Sequence, residues 1–203
     1  MMNIAKHCAA FAALALLAGC ATSRLVSQQS NPDYIGKSFK SVMVVAVTSD
    51  ELIRRTYEDR MVALLGQRGL KGIPSYAAVG SRGQVEEADL RQAIARSGAE
   101  GVLVTRVTRV DRSSGTLPGA TVFVGVGGGF YGYYSTVWQS VTVAPQKISG
   151  PSWTVSETRL FDAKNGALAW TGVMDTREND DLGAALTQYI EVIFDAMLSD
   201  RVL

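Results

Sequence analysis

The chain predicts a single α/β domain with a mixed sheet, in the order β-α-β-α-β, a glycine- and aromatic-rich insertion, then β-β-α. Three observations carry this. Apolar β-branched runs alternate with helical apolar stripes through the first half of the domain. A turn, Asp162-Ala163-Lys164-Asn165-Gly166, joins two strand-like runs in the second half. A last apolar stripe, starting at Leu182, closes the chain as a helix.

The elements follow in order. Ser41 to Val47 is a continuous apolar run that suits a strand covered on both faces. Thr48 and Glu51 have capping-box spacing, and Ile53, Tyr57, Met61 and Leu64 form an apolar stripe behind them. Arg54, Arg55, Glu58, Asp59 and Arg60 lie mainly off that stripe, and Gly69 is a fitting stop. Leu70 to Ser75 is a short strand closed by Pro74. Glu86 to Ser97 is a second helix, with Leu90, Ala93, Ile94 and Ser97 inward and Gly98 ending it. Gly101 to Val110 is a strand whose charged second half, with Arg106 and Arg109, predicts an exit toward an exposed rim. Trp153 to Phe161 and Ala167 to Thr176 pair as a hairpin through Asn165-Gly166. Leu182, Leu186, Tyr189 or Ile190, Ile193 and Met197 mark the final helix, with Ser199 to Leu203 as its fraying end.

The amino-terminal segment gives the most specific motif. Leu16-Leu17-Ala18-Gly19-Cys20 follows a short polar start with Lys6 and an apolar run from Ala9 to Ala18. That run is about ten residues long, half the length a spanning helix needs. An ordinary secreted protein cut near Ala18 or Ala21, or a buried helix, would also use such a run. The five residues ending in Cys20 resemble a bacterial lipobox. The resemblance implies cleavage between Gly19 and Cys20, a diacylglyceryl thioether on Cys20, and acylation (palmitate or similar) of the new amino terminus. Residues 1–19 are then a signal peptide. Residues 20–40, rich in Ser, Gln and Asn, read as a lipidated polar tether with a coil span of roughly 25 Å. Residues 41–203 are the domain.

Cleavage changes the inventory. The single histidine, His7, and Cys8 both leave, and so does Lys6, so nineteen basic residues balance nineteen acidic ones. A neutral chain offers no long-range field for nucleic acid. Without histidine, Ser-His-Asp and Cys-His catalysis are excluded and the common zinc ligand sets are missing. The chain is read as a non-enzyme with no catalytic residue, no metal and no cofactor. Glu86-Glu87-Asp89 and Glu178-Asp180-Asp181 are read as acidic helix starts and turns, which the helix dipole favours.

From about residue 113 to 151, Gly125, Gly127, Gly128, Gly129 and Gly132 are interleaved with Phe130, Tyr131, Tyr133, Tyr134 and Trp138. The glycines do not open a helix followed by a spaced acidic residue, so a dinucleotide cradle is rejected. Two readings stand. The segment is a flexible loop or long hairpin with surface aromatics, or those five aromatics contact a partner protein, a glycan or the bilayer interface.

The element order resembles the small α/β domain of peptidoglycan-synthase activator lipoproteins, of the curli-secretion lipoprotein, and of the N-terminal domain of the Tol-system propeller protein. Several phrases are similar to a family of uncharacterised bacterial lipoproteins. They include Arg54-Arg55 with Glu58-Asp59, Arg68-Gly69-Leu70, Ile73-Pro74-Ser75-Tyr76, Ser97 to Val104, and Leu160 to Lys164 with Gly166 and Trp170. The resemblance implies a fold rather than an activity, because these are mostly core and turn positions. The expectation is a lipid-anchored binding or assembly factor on the periplasmic face of the outer membrane, since Ala21 rather than Asp follows Cys20. Its partners would be the bilayer, through acylated Cys20, and an envelope protein or peptidoglycan. The alternatives are a glycan-modifying enzyme with two carboxylates about 5–10 Å apart, or a subunit of a secretion or pore complex.

Overall fold

The computed structural model describes residues 23–80, 86–111, 129–141, 153–177 and 181–203. Its strands are β1 (Ser23–Ser30), β2 (Ser41–Val47), β3 (Lys71–Pro74), β4 (Gly101–Asp111), β5 (Trp153–Asp162) and β6 (Leu168–Arg177). Its helices are α1 (Glu51–Gln67), α2 (Ser75–Val79), α3 (Glu87–Ser97), α4 (Gly129–Val141) and α5 (Leu182–Ser199). They build one mixed sheet in the order β1-β6-β5-β4-β2-β3. β3, β2 and β4 run parallel, and β4, β5, β6 and β1 run antiparallel. The α/β expectation is met.

Two cores sandwich the sheet. On one face, α1 and α5 bury Tyr57, Met61, Leu65, Ile193 and Phe194 against Val42, Val44, Leu103, Leu160 and Trp170. On the other, α3 and α4 bury Leu90, Ile94, Phe130 and Tyr133 against Met43, Val45, Val102, Val104 and Phe161. All seven residues of β2 are buried, as its uninterrupted apolar run requires of a central strand covered twice.

Several expectations are corrected. The segment read as a tether contains a strand. β1 pairs antiparallel with β6 from Ser23↔Thr176 to Ser30↔Trp170, and Tyr34 and Phe39 are buried behind it. Its alternating polar residues suit an edge strand with one open side, which is why its composition looks like a linker. The first cap of α1 is Asp50, whose side chain accepts from the Ile53 amide at 3.0 Å; Thr48 instead accepts from the Asp50 amide. Arg54 and Glu58, read as lying mainly off the apolar stripe, are buried with it. The exit of β4 is as expected: Gly101 to Val104 are buried and Val107 and Thr108 are exposed, while Arg106 between them pairs with buried Glu157 at 3.0 Å. The chain end does not fray, since Val202 is fully buried and its amide donates to the Met197 carbonyl.

The aromatic run is corrected most. Residues 129–141 form α4 instead of a loop or hairpin. Phe130, Tyr133, Tyr134 and Val137 fall at i, i+3, i+4 and i+7, one helical face, and all four are buried. The start of α4 is fixed to the β5–β6 turn by the Phe130 amide donating to the Gly166 carbonyl at 2.8 Å.

Candidate functional site

Strand polarity places the carboxyl ends of β2 and β4 side by side, while the chain leaves β2 through α1 to reach β3 on the opposite side. In open α/β sheets a crevice outside such neighbouring ends is where ligands bind. A cleft of about 380 Å³ opens here between the first turns of α1 and α5. Its walls are mostly apolar: Ala46, Val47, Ile53, Val107, Leu182, Ala185 and Leu186. Val107 and Leu182 are half exposed or more, so apolar surface reaches the mouth. Thr48, Thr176 and Arg177 also line it.

Its floor is a chain of hydroxyls. The period of two along β5 turns Thr154, Ser156 and Thr158 toward α1 and α5, and register sets Thr105 of β4 opposite Thr158. Tyr57 comes from the second turn of α1 and Tyr189 from that of α5. The Tyr57 hydroxyl meets Thr105 at 2.7 Å, Thr105 meets Thr158 at 2.8 Å, and Thr158 meets Tyr189 at 3.0 Å. The Ser156 hydroxyl donates to Tyr189 at 3.0 Å. Burial pushes the Tyr57 phenol well above its ordinary value and also raises that of Tyr189. Both stay neutral near pH 7, so the floor carries hydrogen bonds and no charge. Among the described residues, no Asp or Glu lines the cleft, so they do not bring the paired carboxylates of glycan cleavage together here.

The sequence-predicted residues lie elsewhere. Gly19 and Cys20 are outside the described residues, as is the side chain of Trp138. Phe130 and Tyr133 stack toward Phe161, with ring centroids 5.5 and 5.3 Å away. The Tyr133 hydroxyl donates to Glu157 at 3.0 Å, within a buried cluster completed by Arg106 and Arg159. Burial first, and the Glu157 charge second, lift the Tyr133 phenol far above its ordinary value. Tyr134 is buried, and half-buried Tyr131 carries the Arg91 guanidinium 3.5 Å above its ring. Phe130, Tyr133 and Tyr134 are therefore core residues of this chain, and a partner cannot reach them as a free surface.

The acidic clusters have structural duties. Glu87 pairs with Arg91 one turn on, at 2.6 Å, and Asp181 caps α5 by accepting from the Ala184 amide at 2.9 Å. Glu178 and Asp180 are outside the described residues. Among the described residues, no group of three or more His, Cys, Asp or Glu could hold a metal ion. Among them too, no helix is long and apolar enough to cross a membrane. The cleft hydroxyls were absent from the sequence-derived candidates. The alternation of Thr154, Ser156 and Thr158 was their only signal, and that pattern ordinarily marks a solvated face.

Fold and site define a class: a mixed α/β domain with an apolar, hydroxyl-floored cleft at the carboxyl ends of its parallel strands. No protein family model matches the chain, and no curated protein is recognisably similar in sequence. Among solved structures, it is similar to the PelC dodecamer from Paraburkholderia phytofirmans, at 13% identity and a TM-score of 0.46, over 89% of this chain and 99% of that chain. It is also similar to the lipoprotein GNA1162 from Neisseria meningitidis, at 18% identity and a TM-score of 0.41, over 78% of this chain and 98% of that chain. These are distant likenesses of chain path and carry no information about the cleft.

Proposed function

We propose that the chain is a lipid-anchored protein of the bacterial envelope with a non-enzymatic binding or assembly role, and that the cleft between α1 and α5 is its binding site. One observation carries this reading. β1 begins at Ser23, so only Ala21 and Thr22 separate the domain from the lipobox cysteine. At about 3.3–3.6 Å per residue, Cys20 lies within roughly 11 Å of Ser23. The anchor then holds the cleft end of the domain against the bilayer instead of on a long leash. The apolar mouth, the uncharged hydroxyls of the floor and the absence of a carboxylate among the described lining residues favour binding over hydrolysis. The periplasmic leaflet of the outer membrane, and an envelope protein or peptidoglycan as partner, belong to the same proposal.

The test is fractionation of cells fed an alkyne-bearing palmitate. The full chain should take up the label and travel with outer-membrane fractions, and Cys20→Ala should lose both. Unchanged membrane association of Cys20→Ala overturns the reading.

A further inference from the structure

The first described residue, Ser23, is bonded to a residue of the cleft wall. The Ser23 amide donates to Gln188 of α5 at 3.1 Å, and the Ser23 hydroxyl meets that of Thr176 at 3.1 Å. Ser23 is buried, and Thr176 lines the cleft. The chain therefore leaves the domain at the cleft's edge, with two residues to go before Cys20.

From this juxtaposition we infer that one acyl chain of the Cys20 anchor occupies the cleft of its own molecule. The inference rests on the lipoprotein reading above. The cleft fits such an occupant chemically. The hydroxyls of Tyr57, Thr105, Ser156, Thr158 and Tyr189 are already bonded to one another, and none is among the buried polar atoms left without a partner. An apolar chain displaces water there without orphaning a hydrogen bond. A cation, by contrast, would meet no carboxylate among the described lining residues. The volume falls in the range of small-ligand sites, about 300–1,000 Å³.

Attachment in cis supplies the rest. A short link holds the acyl chain at an effective concentration on the order of millimolar beside the mouth, so even a weakly favourable fit is populated. Exchange between cleft and bilayer swaps one apolar environment for another, so the balance is set by what lies outside the mouth. In water the chain is held inside; against a membrane it can be released.

Photocrosslinking tests this with the full chain. Cells are fed palmitate bearing a diazirine, the protein is extracted and illuminated, and the products are mapped by mass spectrometry. The expected result is a crosslink from the acyl group on Cys20 to Ile53, Leu186 or Tyr189 of the same chain. Ala185→Trp fills the cleft and should abolish it. Leu186→Gln, at a half-buried position, should reduce it if the tryptophan variant does not fold. The crosslink in the unsubstituted protein is decisive without either variant. A labelled Cys20 that crosslinks only to phospholipid, to a second copy or to another protein overturns the inference and leaves the anchor standing. Absence of any label on Cys20 overturns both. Labelling of the cleft by free diazirine palmitate in Cys20→Ser, with none from the anchor in the parent, makes it a site for free fatty acid and overturns occupancy in cis.

Discussion

Glu58 and Arg54, one turn apart on α1, form an ion pair buried from solvent, with Arg54 Nε 3.3 Å from Glu58 Oε1. The carboxylate does more than neutralise the guanidinium. It accepts the Ala46 amide of β2 at 3.0 Å, the Ser75 hydroxyl at 2.7 Å and the Tyr76 amide at 3.1 Å. Ser75 in turn accepts from Arg54 Nη2 at 3.0 Å. One side chain thus ties α1 to the strand that ends in the cleft and to the start of α2.

Removing that carboxylate should be severe. Glu58→Ala strands a buried cation and two backbone amides, and breaking such a pair costs about 3–5 kcal/mol. Arg54→Met with Glu58→Gln removes both charges but keeps an amide oxygen as acceptor. The double variant is expected to unfold at higher urea than Glu58→Ala, read from equilibrium denaturation. The reverse order would mean that charge, not hydrogen bonding to β2 and α2, holds the junction.

The cleft tyrosines give a pH dependence of known sign. Their folded phenols titrate above the ordinary value of 10.0, chiefly because burial penalises the phenolate. Below about pH 10 both folded and unfolded chains keep the proton, and this contribution to stability is complete. As pH rises past that value the unfolded chain releases protons that the folded chain retains, so stability falls. Tyr57→Phe should be less stable than the parent at pH 8, by about 0.5–1.5 kcal/mol for the lost hydrogen bond. Its deficit should shrink at pH 11. Urea midpoints at the two pH values measure both effects, and a deficit that is constant or grows contradicts the burial argument.

Residues 21–30 separate a tether from a strand. Deleting them should leave a tethered domain's melting temperature unchanged. Here the deletion instead uncovers β6 along its length and takes Arg24 from Asp175, a fully buried carboxylate it contacts at 2.8 Å. An uncovered edge invites pairing with other chains. The expected outcome is a lower melting temperature and aggregates in size-exclusion chromatography.

What was legible follows physical lines. The run Ser41 to Val47 could only be a doubly covered strand, and that is how it lies. Charge on α1 was not legible, because Glu51–Arg55 and Arg54–Glu58 share the same four-residue spacing. The first pair is half exposed at 2.7 Å, the second buried, and only contact with β2 and α2 separates them. β1 was hidden because an edge strand, open on one side, keeps a polar composition. In α4 the glycine-aromatic composition outweighed the helical period of Phe130, Tyr133, Tyr134 and Val137, although that period was there to be read. The cleft was hidden more deeply, since Tyr57, Thr105, Thr158 and Tyr189 come from four elements and meet only through the sheet register.

Gly172 and Trp170 give the sharpest packing test. They are two apart on β6 and share a face, and the Trp170 ring, fully buried, lies across the glycine. A Cβ at position 172 would come within 2.8 Å of Cζ3 and 2.9 Å of Cζ2 of that ring. The ring cannot easily swing away, because its Nε1 donates to Asp200 at 2.9 Å beyond the end of α5. Gly172→Ala is therefore expected to destabilise by about 1–3 kcal/mol or more through overpacking. Trp170→Phe alone should also destabilise, by leaving a cavity, while Gln28 and Ser30 still donate to Asp200. Together the changes should partly cancel, since the smaller ring vacates the space the new methyl needs. Denaturant unfolding of the four proteins measures the coupling, and strict additivity would mean that the strand, not the ring, yields to the added methyl.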